Sequence, residues 1–346
     1  MKDLFRFLHH HFFKLVIAVY LLAALLPGPG IWLRDIRLGS ANVLGETTPI
    51  SLSLLLLSLL LLNAGLGIAV QDLQQLLRKP QALLAGLLAN LLIIPLTFAF
   101  VVSNTVGRLW HNPDEVQNVL VGLAIIASMP IAASSTAWTQ KNNGNLVLSL
   151  GLILLSTTLS PLLTPLGLNA IGLITTGDYS EDLHLLAQSG SSGFLLFSVL
   201  LPTMLGVLLH SVLGAKRVGQ IRPVLKDINL LVLLTLNYSN AASVLPTVFK
   251  NPDWDLLLII GIITTLLCLT AFSTGWWLAH RLRSNYSDRS ALMFGLGMNN
   301  NGTGLVLANL ALGDHPLVLL PIICYNLVQH LVAGWVDSRL QASKEN

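Results

Sequence analysis

Apolar runs of roughly twenty residues, the length that crosses a bilayer core, recur along the chain between short polar stretches. Ten can be placed, at 12–28, 50–70, 81–103, 117–140, 144–174, 189–213, 228–249, 256–279, 291–312 and 316–336. Two of them are interrupted. Met129-Pro-Ile-Ala-Ala-Ser-Ser-Thr136 breaks the fourth, and Gly295-Leu-Gly-Met-Asn-Asn-Asn-Gly-Thr-Gly304 breaks the ninth. Lipid cannot hydrogen-bond the N–H and C=O groups that a broken helix frees, so such segments must be buried in protein or line a cavity. Three adjacent asparagines on a continuous helix would point in three directions, which favours a broken helix beside a polar cavity. The pattern predicts an all-α polytopic membrane protein of ten transmembrane helices. Residues 1–175 and 176–346 then hold five spans each, with the break in the fourth of each set. An odd number of spans inserts the second copy upside down, which predicts inverted five-helix repeats within one membrane domain.

Composition agrees, with 53% hydrophobic and 10% charged residues against roughly a quarter charged in soluble domains. The net charge of +3 would suit an anionic partner such as nucleic acid, but the basic residues are scattered singly over short loops and encode topology instead. With the N-terminus inside, fifteen of the nineteen Lys and Arg residues fall on the cytoplasmic side; Arg34, Arg37, Arg108 and Lys250 fall outside. Cytoplasmic loops carry the basic excess, so both termini are expected in the cytoplasm of a multi-pass inner or plasma membrane protein. The N-terminal apolar run ends in Pro27-Gly-Pro-Gly30 with no small-residue cleavage site and reads as a retained first span. His9, His10 and His11 before it read as an interfacial cluster.

All sixteen acidic residues fall in loops or at span ends, which argues against a carboxylate proton relay. His210 and His330 are the ionisable groups left in the spans. Cys268 and Cys324 lie in apolar runs and read as small buried hydrophobes. No buried nucleophile–base pair, metal cluster or nucleotide loop marks an enzyme, and no cofactor is expected.

The polar groups at membrane depth form four clusters: Ser134, Ser135 and Thr136; Ser149, Ser156, Thr157, Thr158 and Ser160; Asn299, Asn300, Asn301 and Thr303; and Asn90. Hydroxyl, amide and carbonyl oxygens suit a small hard cation such as Na⁺, while the N-termini of half-helices offer N–H groups and a positive dipole end to an anion. Ser156 to Ser160 also suit helix–helix packing, and His330 suits either packing or cavity lining.

Three stretches resemble the bile acid:sodium symporter family. Pro130-Ile-Ala-Ala-Ser-Ser-Thr-Ala-Trp-Thr139, with Gly144-Asn-Leu-Val-Leu-Ser149 and Leu159-Ser-Pro-Leu-Leu-Thr-Pro165, is similar to the family's fourth and fifth helices. Gly295-Leu-Gly-Met-Asn-Asn-Asn-Gly302 resembles its broken ninth helix, and Arg78-Lys-Pro80 leading to Leu88-Ala-Asn-Leu-Leu-Ile-Ile-Pro95 its third. The resemblance implies a core of helices three to five and eight to ten, in which helices four and nine cross, and a panel of helices one, two, six and seven. Substrate would lie between them. By position it assigns Ser135, Thr136 and Ser149 to one sodium site, and Asn90, Asn299 and the carbonyls of Leu296 and Met298 to another. Asn300 falls on the family's asparagine at the crossing.

The chain departs from the family pattern at four positions. The family's bridging glutamate falls on Gly295, its glutamines on Asn90 and Asn299, and a Ser/Thr ligand on Ile153. Without the carboxylate, neutral ligands would hold Na⁺ more weakly. The branch of arsenite exporters, which share the broad fold and use a cysteine near the fourth-helix break, is disfavoured because neither cysteine is there. The expected function is secondary transport of a small organic anion by alternating access, with Asn300, Asn301, Ser134, Thr303 and His330 binding the substrate and Na⁺ as coupling ion. Alternatives are a sodium-independent carrier or exporter, or a non-transporting sensor or scaffold of the same fold.

Overall fold

The computed structural model describes residues 12–43, 46–70 and 80–345. The three adjacent histidines His9, His10 and His11, and the basic pair Arg78 and Lys79, lie outside the described residues. Among those described, Pro80–Leu109, Leu146–Gly172, Ser191–Ala241, Trp254–Arg281 and Pro316–Gln341 are helical stretches long and apolar enough to cross a membrane. A sixth is bent by 93° between Lys14–Leu25 and Pro27–Asp35. The chain is a multi-pass helical membrane protein.

The bend follows from the sequence. Helix α1 (Phe12–Leu25) ends before Pro27, which has no N–H to continue the ladder and instead starts α2 (Pro27–Asp35). The carbonyl of Leu26 is met by the Tyr238 hydroxyl at 2.5 Å. Next comes an antiparallel hairpin, β1 (Arg37–Val43) with β2 (Glu46–Ser51), in a stretch the hydropathy pattern marks only as a loop. Among the described residues the fold is therefore helical with one added hairpin. Ser51 then caps α3 (Leu52–Leu66), its Oγ accepting from Leu54 N at 3.2 Å.

The next span runs as α4 (Pro80–Leu88), a π-helical turn at Ala89–Ile93 and α5 (Ile94–Leu109). Pro95 cannot donate to the carbonyl one turn back, and the ladder shifts register just before it. Asn90 sits in that π turn, a feature often found at functional sites. Helix α6 (Pro113–Ser128), α7 (Ser135–Lys141) and α8 (Leu146–Gly172) follow, then α9 (Asp178–Leu185).

Helix α10 (Leu201–Ala241) covers what the sequence reads as two spans and is made of two helical halves that meet at Gly214, whose φ of +78° and ψ of 156° are not helical. The packing shows that the chain doubles back there. Gly206 lies against the backbone of Leu62 and Gly65, and Asn229 accepts from Asn63 Nδ2 at 2.7 Å. A straight helix would hold Gly206 and Asn229 roughly 34 Å apart, yet both touch the same turn of α3. Only a left-handed glycine conformation makes that reversal without strain.

The remainder is α11 (Leu245–Lys250), α12 (Trp254–Arg281), α13 (Tyr286–Gly297), α14 (Asn301–Ala311) and α15 (Leu319–Glu345). Helix α15 continues past the expected end of the last span. Asp337, placed at a span end by sequence, is a buried helix residue that bonds Lys141 Nζ and Asn142 Nδ2, each at 2.7 Å. That contact fixes the end of α7 against α15.

Candidate functional site

The two breaks meet and repair each other. Met129, held extended by the following Pro130, ends α6, and Met298, also extended, ends α13. Ala132 N donates to Met298 O and Asn300 N to Pro130 O, both at 2.9 Å, forming an antiparallel bridge between Ile131 and Asn299. Ile131 N donates to Ser156 Oγ at 3.1 Å, and Asn299 N to Gln329 Oε1 at 3.2 Å. Backbone groups that lipid could not satisfy thus find partners in the opposite break and in α8 and α15. Gly297 is required here, because a Cβ would run into the Phe272 ring of α12. We expect Ser156→Ala to lower unfolding stability by about 1–3 kcal/mol, the cost of a stranded buried N–H. Thermal unfolding in detergent measures it, and an unchanged transition would show the Ile131 amide to be otherwise satisfied.

The repair leaves one half-helix start facing the crossing. Asn300 caps α14, its Oδ1 accepting from Thr303 N at 3.3 Å. Asn300 and Gly302 are partly accessible, and across the bridge Ala133 and Ser134 are exposed. With the N–H groups of Asn301, Thr303 and Gly304 taken by Asn299 O, Asn300 Oδ1 and Asn300 O, the start of α14 offers the Gly302 N–H and its positive dipole end to an anion lying against the bridge. Behind it, Asn301 is 1% exposed and Thr303 fully buried, and neither side chain has a polar partner among the described residues. His330 is half-buried on α15. It is rotated by about 100° from Gln329, the residue through which α15 reaches the crossing. Gln329 was not singled out from the sequence, where it is one of several amides in the spans with no marker of position.

The candidate cation ligands divide into two sets. Ser135 and Ser149 are fully buried, and their hydroxyls have no partner among the described residues. Thr139, one turn on from Ser135, donates to the Ser135 carbonyl at 2.9 Å. Ser290, also buried with an unpartnered hydroxyl, packs with Thr139 around Gly144; sequence reading did not single it out. Thr136 is half-buried and gives its hydroxyl to Ala133 O at 2.8 Å. Unspent hard oxygens where α7, α8 and α13 converge fit a small hard cation.

The second set is largely spent. Asn299 Nδ2 donates to Ile126 O at 2.9 Å, so its Oδ1 faces Asn90 and accepts from Asn90 Nδ2 at 3.1 Å. The Met298 carbonyl is taken by Ala132. Of the four side-chain atoms in this amide pair, Asn90 Oδ1 is the one without a partner among the described residues. At Gly295 an added Cβ would stand 3.1 Å from Leu152 Cδ1, and at Gly86 opposite, 2.9 Å from Leu152 Cδ2. The buried Leu152 side chain fills the space where a carboxylate at 295 would begin.

The chain is 26% identical over 266 residues to "Uncharacterized protein YbaS" of Bacillus subtilis, covering 76% of this chain and 80% of that protein. It is 25% identical over 297 residues to a rice protein named "Probable sodium/metabolite cotransporter BASS2, chloroplastic", covering 84% of this chain and 65% of that one. It is 25% identical over 255 residues to "Uncharacterized sodium-dependent transporter YocS" of B. subtilis, covering 73% and 72%. A family model described as "Sodium Bile acid symporter family" matches residues 54–251, from α3 through the first break to α11. With more than half its length under that match, the chain belongs to the sodium bile acid symporter family, whose members are transporters rather than enzymes.

Proposed function

We propose that this protein is a secondary transporter of a small organic anion, coupled to Na⁺ and working by alternating access in a cell membrane. The observation that carries the reading is the mutual bonding of the two breaks through Pro130, Ala132, Met298 and Asn300, which presents the start of α14 to one face of the crossing. In this reading ten spans run with both termini in the cytoplasm, as two inverted five-helix repeats, 1–175 and 176–346. The core comprises helices three to five and eight to ten, and the panel helices one, two, six and seven. Substrate carboxylate rests at the positive dipole end of α14, against the Gly302 N–H, with Asn300, Asn301, Ser134, Thr303 and His330 around it. The core then moves against the panel to expose it to either side.

The coupling ion is assigned to Ser135, Thr136 and Ser149, since two of these hydroxyls are buried without partners. Asn90, Leu296, Met298 and Asn299 provide at most a weaker second position through Asn90 Oδ1. A sodium-independent carrier is the competing reading, and the Asn90–Asn299 bond and the Leu152 methyls at Gly295 favour it. Thermal stabilisation of purified protein by Na⁺, K⁺ and choline salts, with and without a panel of carboxylates, separates the two. We expect stabilisation by Na⁺ over K⁺, enhanced by carboxylate, and expect the paired substitution Ser135→Ala with Ser149→Ala to remove the Na⁺ response while keeping a carboxylate response. Carboxylate stabilisation indifferent to the cation in the parent protein would sink coupling and keep transport.

A further inference from the structure

The chain turns back at Gly214 between two helical halves that pack on the same helix, α3. The turns that follow Gly214 therefore lie at one end of the bundle, where bilayer meets water. Residues 215–227 hold Lys216, Arg217, Arg222 and Lys226 against Asp227 alone, so this one connection carries as much positive charge as the whole chain, +3. All four basic residues are exposed, and none makes an ion pair among the described residues. Basic residues between spans can serve topology alone. Their arrangement here goes further.

At 3.6 residues per turn, Val218, Ile221, Val224, Leu225 and Ile228 fall within a sector of about 120°. Lys216, Gln220, Arg222 and Lys226 fall on the other side. Pro223 also lies there and frees the Gly219 carbonyl from the helix ladder, on the side where water meets it. Arg217 stands one turn ahead of Ile221 on the apolar face. Protein covers only one edge of that face: Val218 is buried, whereas Ile221 is 40% exposed, Val224 60% and Ile228 36%. A helix basic on one side and apolar on the other, with the apolar side half uncovered, is the kind that lies in a membrane interface.

We propose that residues 215–228 are a docking surface for anionic phospholipid, with Ile221, Val224 and Ile228 at the acyl boundary and Arg217 and Arg222 on lipid phosphates. The occupant must be apolar and anionic together, and must be present at the bilayer edge where the chain reverses. A soluble anion would meet the charges but leave Ile221 and Val224 in water. A zwitterionic lipid would cover the apolar face but return no net charge. Arginine suits the task, because its stem lies along apolar surface while its planar fork takes phosphate oxygens in pairs. The docked turns lead directly into the part of α10 that bonds α3 through Asn229, so a bound lipid steadies that packing and raises the stability of the folded protein. The inference does not depend on what the protein transports.

The test titrates the purified full-length protein, in a neutral detergent, with phosphatidylglycerol, phosphatidylcholine or inorganic phosphate and follows thermal unfolding. Phosphatidylglycerol is expected to stabilise at lower concentrations than phosphatidylcholine, and phosphate not at all. Arg217→Gln with Arg222→Gln should raise the half-effective phosphatidylglycerol concentration by about fivefold for each charge removed, with the phosphatidylcholine response unchanged. Ile221→Ser with Val224→Ser, also at exposed positions, should weaken the phosphatidylglycerol response while keeping every charge, and gives a second reading if the arginine variant folds poorly. Lys250→Gln, an exposed lysine on α11, should change nothing. Equal stabilisation by the two lipids, stabilisation by phosphate alone, or a phosphatidylglycerol preference that survives both double variants overturns the inference.

Discussion

Gly206→Val is expected to abolish recovery of folded protein, and Gly65→Val to do nearly the same. These two glycines bring α3 and the first half of α10 into backbone contact: a Cβ at Gly65 would collide with the Thr203 carbonyl, and one at Gly206 with the Leu62 carbonyl and, at 2.8 Å, Leu66 N. Close approach through small residues is how helices associate in a bilayer, where no hydrophobic drive separates protein from lipid. The obstacle is main chain rather than the tip of a side chain, so relief requires moving a helix. Overpacking commonly costs about 1–3 kcal/mol, and more when the backbone must shift; two β-branched methyls at a backbone contact fall at the upper end. The same helix turn carries the Asn63–Asn229 bond, so prying α3 from α10 also strands that pair. Gly261→Ala is the control, because a Cβ there meets nothing within 4 Å; removing the glycine from an open helical position should stabilise by about 0.4–1 kcal/mol. Size-exclusion profiles and thermal unfolding read both outcomes. A Gly206→Val protein that elutes as a single species and unfolds with the parent would show that the contact is not needed.

The breaks were legible in the sequence because their residues are costly anywhere else. On a continuous helix the run Asn299, Asn300 and Asn301 would turn at least one amide towards lipid, and with Pro130 and the neighbouring glycines this makes a broken span the natural reading. The closeness of the two breaks was implied only by resemblance, and the bridge that joins them depends on backbone groups that sequence does not display. Gln329 escaped notice for that reason: its role is set by an N–H freed at Asn299, thirty positions earlier, and an isolated amide in a span carries no sign of what it will meet. Ser156 looked like an ordinary packing hydroxyl, yet it holds Ile131 N. Leu152 was invisible for the opposite reason. In a chain so rich in leucine, nothing marks the one whose methyls fill the space beside Gly295. The hairpin of β1 and β2 was missed because a polar connection between spans gives no hydropathy signal, and the connection the sequence places over residues 214–227 narrows to a reversal at Gly214 between two helices.

Gly295→Glu alone is expected to be strongly destabilising, and Gly295→Glu with Leu152→Ala to be rescued by Na⁺. Gly295 is a buried position of α13 whose added Cβ would press on Leu152 Cδ1 at 3.1 Å. A glutamate there must displace the leucine or point its carboxylate into apolar surroundings formed by Leu152, Leu292 and Leu296 around Gly86. Burying an unpaired charge costs several kcal/mol, which in practice keeps the acid protonated or unfolds the site. Truncating Leu152 makes room but, on its own, leaves a cavity and should cost about 2–5 kcal/mol. Combined, the substitutions put a carboxylate in the space that Leu152 vacates between Gly295 and Gly86, and give it room to reach a cation. The double variant should therefore be less stable than the parent in K⁺ or choline, recover in Na⁺, and show a steeper dependence on Na⁺ concentration than either single variant. Its stability without Na⁺ should also fall as pH rises, because deprotonation then exposes an uncompensated charge, and Na⁺ should abolish that trend. Thermal unfolding of the four proteins across Na⁺ concentration and pH supplies the cycle. If the double variant is no more responsive to Na⁺ than the parent, the missing charge at Gly295 is not what limits ion binding on this side of the crossing, and the spent Asn90–Asn299 pair becomes the reason instead.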